Sequence, residues 1–408
     1  MKEVVITHGV RTPIAKVEKS LKDFFDLSLG RLVIEDLVNN RAKIAGGEID
    51  HIILGEVKQS ADPSNIARVA ALAAGLPAEI PAYTVHRQCG SGLQAIMDAY
   101  QMILCDDAQV VLAGGVENMT RSVYFMRSSR SGLGNGDYTI EDSLTAGGPG
   151  AIPQDQYGSQ PMGITAENLA DQYKIPRRRQ DAFALLSQQK AATAIGEGRF
   201  KAQILPVEVE TPKGKILFDT DEHPFLSPIE KLGALRPAFK KDGSVTAGNS
   251  SGRNDGAAAL LVMAADKAAA LGYTPMAKIL SVASSGCDPL IMGIGPVECT
   301  RIALERAGLT LSDIDVIELN EAFAAQSIAV VEEWLKWGIP EDALMEKLNP
   351  NGGAIALGHP LGCTGAALTV KCMYELIRVP KKRYGLITLC CAGGLGVAAI
   401  IEKAGVVG

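Results

Sequence analysis

The sequence predicts an α/β fold made of two similar halves with a loop-rich insertion between them. Three observations carry this. Short apolar, β-branched runs alternate with helix-length segments. The order of these elements recurs in the C-terminal third. The middle of the chain breaks the pattern. The bulk numbers agree: 408 residues with 47% hydrophobic content can bury a large core, and 43 glycines with only 5% aromatics suit closely approaching backbones.

In the N-terminal third, "VVIT" and "HIILGEV" are strand-like runs. Between them "LGRLVIEDLVNNRAKI" is helical, with Leu32, Val33, Leu37 and Ile44 near one face. "VHRQCGSGLQAIMDAY" opens another helix, in which Leu93, Ile96, Met97, Tyr100 and Leu104 recur at helical spacing. "QVVLAGG" follows as a strand ending in glycines. Strand–helix–strand alternation implies βαβ units and a mainly parallel sheet. From about Thr120 to Thr246 the chain is richer in Gly, Pro, Ser and charge, with one convincing helix at about Arg178–Gly196. Insertions of this kind tend to carry function, which suggests a substrate-covering role. The C-terminal third then repeats the scheme. "PVECTRIALERAGLTLSDIDVIELNEAF" matches the first helix and strand, and "CTGAALTVKCMYELI" before "GLITLCCAGG" matches "CGSGLQAIMDAYQMI" before "QVVLAGG". The duplicated unit is roughly 120 residues.

Composition also excludes functions. A net charge of −6 argues against binding that neutralises nucleic-acid phosphates. No sustained apolar run is long enough to span a bilayer. The opening "MKEVVITHGVRTP" enters a strand at once and has no signal-peptide pattern. The eight cysteines form no Cys-x-x-Cys pair and no metal-like Cys/His cluster. They read as free thiols in a reducing compartment, so a cytoplasmic location is expected and no metal.

Four places hold candidate chemistry. Cys89 stands just before a helix, where free N–H groups and the positive dipole end favour a thiolate. It also reads as a buried structural cysteine at a tight turn. His359, one of five histidines, lies in "GHPLGCTG" and could serve as a base, or pack as a turn residue. Cys390 and Cys391 end a strand before a glycine turn; they could act as acid/base or as small core residues. Asn320 and Glu321 follow an apolar strand, where an amide could hold a water or cap the next helix. All four fall at strand ends or helix starts, where active-site groups gather.

Taken together, "CGSGLQA", "GGVENMT", "MGITAENLA", "VTAGNSSGRNDGAAA", "NEAFA", "NPNGGAIALGHPLGCTG" and "LCCAGGLG" resemble the thiolases, the acyl-CoA C-acyltransferases, over essentially the whole chain. The resemblance implies a duplicated five-layer α/β/α/β/α fold with an inserted loop domain. The halves would be 1–119 with 247–271, and 272–408, with the loop domain at 120–246. It implies that Cys89 is the nucleophile, His359 its activator, Cys390 the acid/base and Asn320 the holder of a water. The backbone N–H groups of Cys89 and Ala392 would form the oxyanion hole. Coenzyme A contacts would come from Met162, Phe239, Ala247, Ser251, Ala322 and Phe323. The expected activity is ping-pong Claisen chemistry on acyl-CoA and CoA through an acyl-cysteine, from or to two acetyl-CoA and possibly longer chains. Coenzyme A would be a substrate, with no cofactor, nucleic acid or membrane involved. A homotetramer or homodimer is expected, with a tetramer contact at Ser122 to Tyr138. His86, Pro161 and Phe225 replace an asparagine, a histidine and an arginine of the short-chain family pattern. A decarboxylative ketoacyl synthase would not need Cys390. A silent coenzyme-binding relative would have lost one of the four residues.

Overall fold

Each apolar run of the sequence nucleates one element, and the elements alternate. The structure, a computed structural model, describes residues 2–127 and 129–405; Met1, Ser128 and Val406–Gly408 lie outside it. The first half runs β1 (Val4–Arg11), α1 (Asp26–Glu35), β2 (His51–Gly55), α2 (Ile66–Ala73), β3 (Ala82–Val85), α3 (Ser91–Leu104) and β4 (Val110–Asn118). The last turns of the first predicted helix widen into a π-helix over Asp36–Ala42. A long segment then carries α4 (Met162–Gln172) and α5 (Arg177–Gly196). The chain continues with β5 (Asn254–Ala264), β6 (Ala277–Gly286), α6 (Gly295–Ala307), β7 (Val316–Leu319), α7 (Ala324–Leu335), α8 (Leu361–Arg378), β8 (Tyr384–Cys391) and β9 (Leu395–Lys403).

The strand order is β7-β8-β9-β6-β1-β5-β4-β2-β3. The two halves are mirror-ordered about the β6–β1 junction, so the duplication is visible in the topology. A parallel bridge from Ile317 to Leu348 even supplies the counterpart of β3. The expectation of a mainly parallel sheet is corrected. Only β2–β3, β2–β4 and β7–β8 pair in parallel. Strands β8 and β9 form an antiparallel hairpin, closed by Gly393 and Gly394 at φ 89° and 80°. The βα crossovers therefore account for the outer strands of each half and not for the inner ones. In the first half, β4 and β5 are the equivalent antiparallel pair, with Asn118 opposite Asp255. The long inserted segment occupies the position of that hairpin's turn.

A second correction concerns "QVVLAGG". The strand does not end at its glycines but continues to Asn118. A Cβ on Gly114 would lie 2.2 Å from the Ala258 carbonyl oxygen, and one on Gly115 would lie 2.0 Å from the Gly362 oxygen. The glycines thus permit close passage of a neighbouring strand and of the start of α8, and are not chain breakers here.

The β1–β6 junction pairs only at Val4–Ile279, Val5–Lys278 and Ile6–Ala277. There the sheet divides into two layers. Helices α3 and α8 fill the space between them, so Leu93, Ile96, Val370 and Met373 share one core with Val262 and Leu389 from opposite halves. Helices α1 and α2 cover one outer face and α6 and α7 the other. The result is the expected five-layer order. Where α3 meets α8, a Cβ on Gly92 would lie 2.6 Å from the Gly362 oxygen, and one on Gly365 would lie 2.3 Å from the Leu93 nitrogen. Both obstacles are backbone and cannot rotate away. Gly365→Ala is therefore expected to lower unfolding free energy by about 1–3 kcal/mol, measured by urea denaturation. Gly47→Ala, with nothing within 4 Å of the new methyl, is the neutral control. Equal stability of both variants would contradict this packing.

Candidate active site

The contact between α3 and α8 brings together the two turns that precede them. Cys89 lies in the first. Gln88 holds φ 50°, a left-handed conformation that a non-glycine residue adopts only when the surroundings enforce it. The Ser91 hydroxyl supplies that constraint: it donates to the Gln88 carbonyl at 2.6 Å and accepts from the Arg87 N–H at 2.9 Å. Underneath, a Cβ on Gly55 would lie 2.4 Å from the Ser91 backbone, so β2 can only carry glycine there. The turn therefore presents Cys89, half-buried, towards a cavity of about 400 Å³.

His359 lies in the second turn, is 4% exposed, and lines the same cavity. Its backbone N–H donates to Asn254 Oδ1 at 2.9 Å, and Asn254 Nδ2 in turn donates to the Ala15 carbonyl at 2.9 Å. Its ring is fixed by Thr364. The Thr364 hydroxyl donates to the Pro360 carbonyl at 2.8 Å, so towards Nδ1, 2.7 Å away, the same oxygen acts as acceptor. Nδ1 then carries the proton, and Nε2 is left with its lone pair. Burial lowers the imidazole pKa to about 4, so the ring rests neutral.

Strand alternation separates the two vicinal cysteines. Cys390 lines the cavity and packs with Met292, Ala322 and Phe323. Cys391 points the other way into the central core, where a Cβ on Gly90 would meet its Sγ at 2.7 Å. Asn320 follows β7 and is wholly buried behind the cavity wall. Its Nδ2 donates to His359 Nε2 at 3.4 Å, while its Oδ1 has no partner among the described residues. Glu321 is different in kind. Its carboxylate accepts from Ser187 at 2.6 Å and Asn349 at 2.7 Å, which clamps α5 to the second half.

Burial pushes the Cys89 thiol up to about 11, more than the N–H groups of Cys89 and Ala392 pull it down. This corrects the expectation of a dipole-lowered thiol: desolvation at this helix start outweighs the backbone donors. Burial also holds Cys390 well above the usual thiol range. Both thiols rest protonated.

Met162, Phe239, Ser251, Ala322 and Phe323 line the cavity, with Phe239 edge-on to Phe323 at a centroid distance of 6.1 Å. Ala247 is exposed and does not line it. Pro161 lines it; Phe225 is 68% exposed, and His86 is also exposed. Sequence reasoning missed Thr364, Asn254, Glu117, Lys58 and the covering stretch Leu144–Pro149. The first three stand inside the quoted motifs, but as residues that hold others they carry no chemical signature. Among the described residues no group of three His, Cys, Asp or Glu could hold a metal ion, and no helix is long and apolar enough to cross a membrane.

Residues 4–266 match the family model described as thiolase, N-terminal domain, and residues 273–403 that described as thiolase, C-terminal domain. An acetyl-CoA acetyltransferase of Syntrophomonas wolfei is 47% identical over 405 residues, 98% of this chain and 99% of that one. The crystal structure of the Bacillus anthracis acetyl-CoA acetyltransferase superposes with a TM-score of 0.92 at 43% identity, covering 99% of both chains. That of human mitochondrial 3-ketoacyl-CoA thiolase in complex with CoA gives 0.91 at 39% identity, covering 99% of this chain and 98% of that one.

Three buried acids underlie the site. Glu117 accepts from the N–H groups of Val57 at 3.1 Å, Lys58 at 2.8 Å and Gly362 at 2.7 Å, joining β4 to the loop after β2 and to the start of α8. Burial, then repulsion from Asp26 and Glu117, raises Glu56 to about 9; burial, then repulsion from Glu117, raises Asp26 to about 8; and burial raises Glu117 to about 7. An acid raised on folding is most compatible with the fold while protonated. That contribution is complete below the unfolded pKa and is lost as pH rises through the folded one. Stability in urea is expected to fall from about pH 4 to about pH 9, and less steeply in Glu56→Gln. A slope unchanged by that substitution would contradict the assignment.

Proposed function

The chain belongs to the thiolase family, and we propose that it makes and breaks 3-ketoacyl-CoA through Cys89, His359, Cys390 and Asn320. It is an acyl-CoA C-acyltransferase. The observation that carries the residue roles is that Cys89, His359 and Cys390 line one cavity, with Asn320 hydrogen-bonded to the histidine from behind.

In the cleavage direction the atoms balance as follows. His359 Nε2 takes the Cys89 proton as Sγ attacks the 3-keto carbon. The N–H groups of Cys89 and Ala392, which favour negative charge at this point, hold the developing oxyanion. The carbon–carbon bond breaks, and the Cys390 thiol protonates the departing enolate of acetyl-CoA. A thiol held protonated by burial suits that step. A water donating to the free Asn320 Oδ1 would donate its second proton to the enolate oxygen. Free CoA then gives its thiol proton to the Cys390 thiolate and attacks the acyl-cysteine. Cys89 leaves and recovers its proton from the His359 imidazolium. Synthesis is the reverse. The thioester itself acidifies the α-carbon, so the scheme calls on no metal or redox cofactor.

Coenzyme A is the substrate carrier in this reading, held by Met162, Phe239, Ser251, Ala322 and Phe323 with Ala247 outside the cavity. The CoA bound in the human mitochondrial relative supports it. Two acetyl-CoA to or from acetoacetyl-CoA is the simplest reaction, with Pro161 and Phe225 allowing longer chains. A homodimer or homotetramer is supported by β3, a sheet-edge strand with half-buried residues along its length. The segment from Ser122 to Tyr138, which includes Ser128 outside the described residues, exposes Tyr124 at 67% and Leu133 at 55%. Eight free cysteines support a cytoplasmic location.

Thiolysis of acetoacetyl-CoA, followed as loss of its enolate absorbance, tests the roles. Cys89→Ala is expected to lose about a thousandfold or more in kcat/KM. Cys390→Ser is expected to lose thiolysis but retain exchange of labelled CoA into acetyl-CoA, which needs no carbon–carbon step. Turnover surviving in Cys89→Ala, or normal thiolysis in Cys390→Ser, would overturn the assignment.

A further inference from the structure

The loop after β2 brings a lysine into the cavity. Lys58 lines it beside Cys89, and so does Arg253, the residue before β5. The neighbouring wall is largely apolar side chain or bare backbone, Met119, Leu144, Gly148 and Pro149, with Gln88 and Thr145 among its polar residues. Such a wall suits an acyl chain. An ammonium placed against it loses hydration unless something else satisfies it.

Little in the protein does. The Lys58 N–H is anchored on Glu117 Oε1 at 2.8 Å, which fixes where the side chain starts. Its Nζ donates to the Ser143 carbonyl at 2.7 Å. An ammonium has three donors; among the described residues neither Lys58 nor Arg253 has a carboxylate within ion-pair distance, and Glu117 and Asp142 act on Lys58, and Asp142 on Arg253, only from farther away. Both cations sit near the reacting centre. Lys58 and Cys89 bias each other's titration, and Arg253 pairs with His359 through an isolated parallel bridge. The coenzyme residues Met162, Ala322 and Phe323 form one cluster with Cys390. Lys58 is tied instead to the stretch that covers the cavity, where a Cβ on Gly147 would lie 2.1 Å from its Nζ.

We propose that Lys58 and Arg253 bind a carboxylate at the far end of the acyl chain, so that the enzyme prefers 3-ketoacyl-CoAs derived from dicarboxylic acids. This rests on the reading that the acyl chain docks at Cys89. A carboxylate would accept charge-assisted hydrogen bonds from the free Nζ donors of half-buried Lys58 and from the exposed Arg253 guanidinium. A methyl-ended chain would offer neither cation an anion.

The test measures kcat/KM for thiolysis of 3-ketoacyl-CoAs of six to eight carbons, each as the methyl-ended compound and as its carboxylate-ended counterpart. The expected wild-type preference is for the carboxylate, by about tenfold or more. Lys58→Met should lower the carboxylate-to-methyl ratio by about thirtyfold, and Lys58→Arg should restore most of it. Arg253→Leu, which leaves the tie to Ser143 intact, should lower the ratio as well. Equal wild-type rates on both series would overturn the proposal. So would an equal fall on both series in Lys58→Met, which would mark Lys58 as a contact to a CoA phosphate or only a tie for the covering stretch. Absence of turnover on either series would instead count against the thiolysis reading itself.

Discussion

The close approach of α3 and α8 at their N-terminal ends is the constraint on which the site depends. Glycines 92 and 365 allow two helix starts from different halves to touch through backbone. The turn before each helix then falls at the same point between the layers. One carries Cys89, the other His359. Neither half could place a thiol and its base together, because each contributes only one of them. Glu117 reinforces the junction from below by accepting N–H groups of the β2 loop and of α8 at once. The duplication supplies the symmetry, and the proposed catalytic pair sits where the copies meet.

The same burial sets the electrostatics. With the thiol raised to about 11 and the imidazole lowered to about 4, the pair rests neutral. A resting thiolate–imidazolium pair is therefore disfavoured, and the thiolate is made as an acyl thioester arrives. The cost is offset by groups already in place. The backbone N–H groups of Cys89 and Ala392 favour the charge, and Thr364 fixes the histidine tautomer. A reactive cysteine that stays protonated until substrate binds is also protected from unproductive oxidation, which proceeds through the thiolate.

Much of this was legible in the sequence. Period-2 and period-3.6 apolar runs located most of the main strands and helices, and the repeated order of elements exposed the duplication. Cys89, His359 and Cys390 stand out as reactive types beside glycines at element ends and Asn320 as a polar residue after an apolar strand, while their expected roles came from the family resemblance. What was hidden is what depends on partners distant in sequence. Nothing local in "QVVLAGG" says that its glycines face another strand and another helix start. The hairpin of β8 and β9 turned an expected parallel sheet into a mixed one. Thr364 and Asn254 act only through His359, so their type alone carries no message. The dipole argument for Cys89 was sound in direction but omitted desolvation, which is known only once the layers are assembled. Ala247 shows the opposite limit, since a motif match placed on the cavity a residue that the fold leaves outside it.

The central claim is that Cys89, alone among the eight cysteines, carries the acyl group during turnover. The most direct measurement is peptide mass mapping after brief incubation with acetyl-CoA and an acid quench. The account predicts one acetyl thioester, on Cys89, that disappears when free CoA is added before the quench. An acetyl group on Cys390 or Cys391, or one on Cys89 that added CoA does not remove, would contradict it.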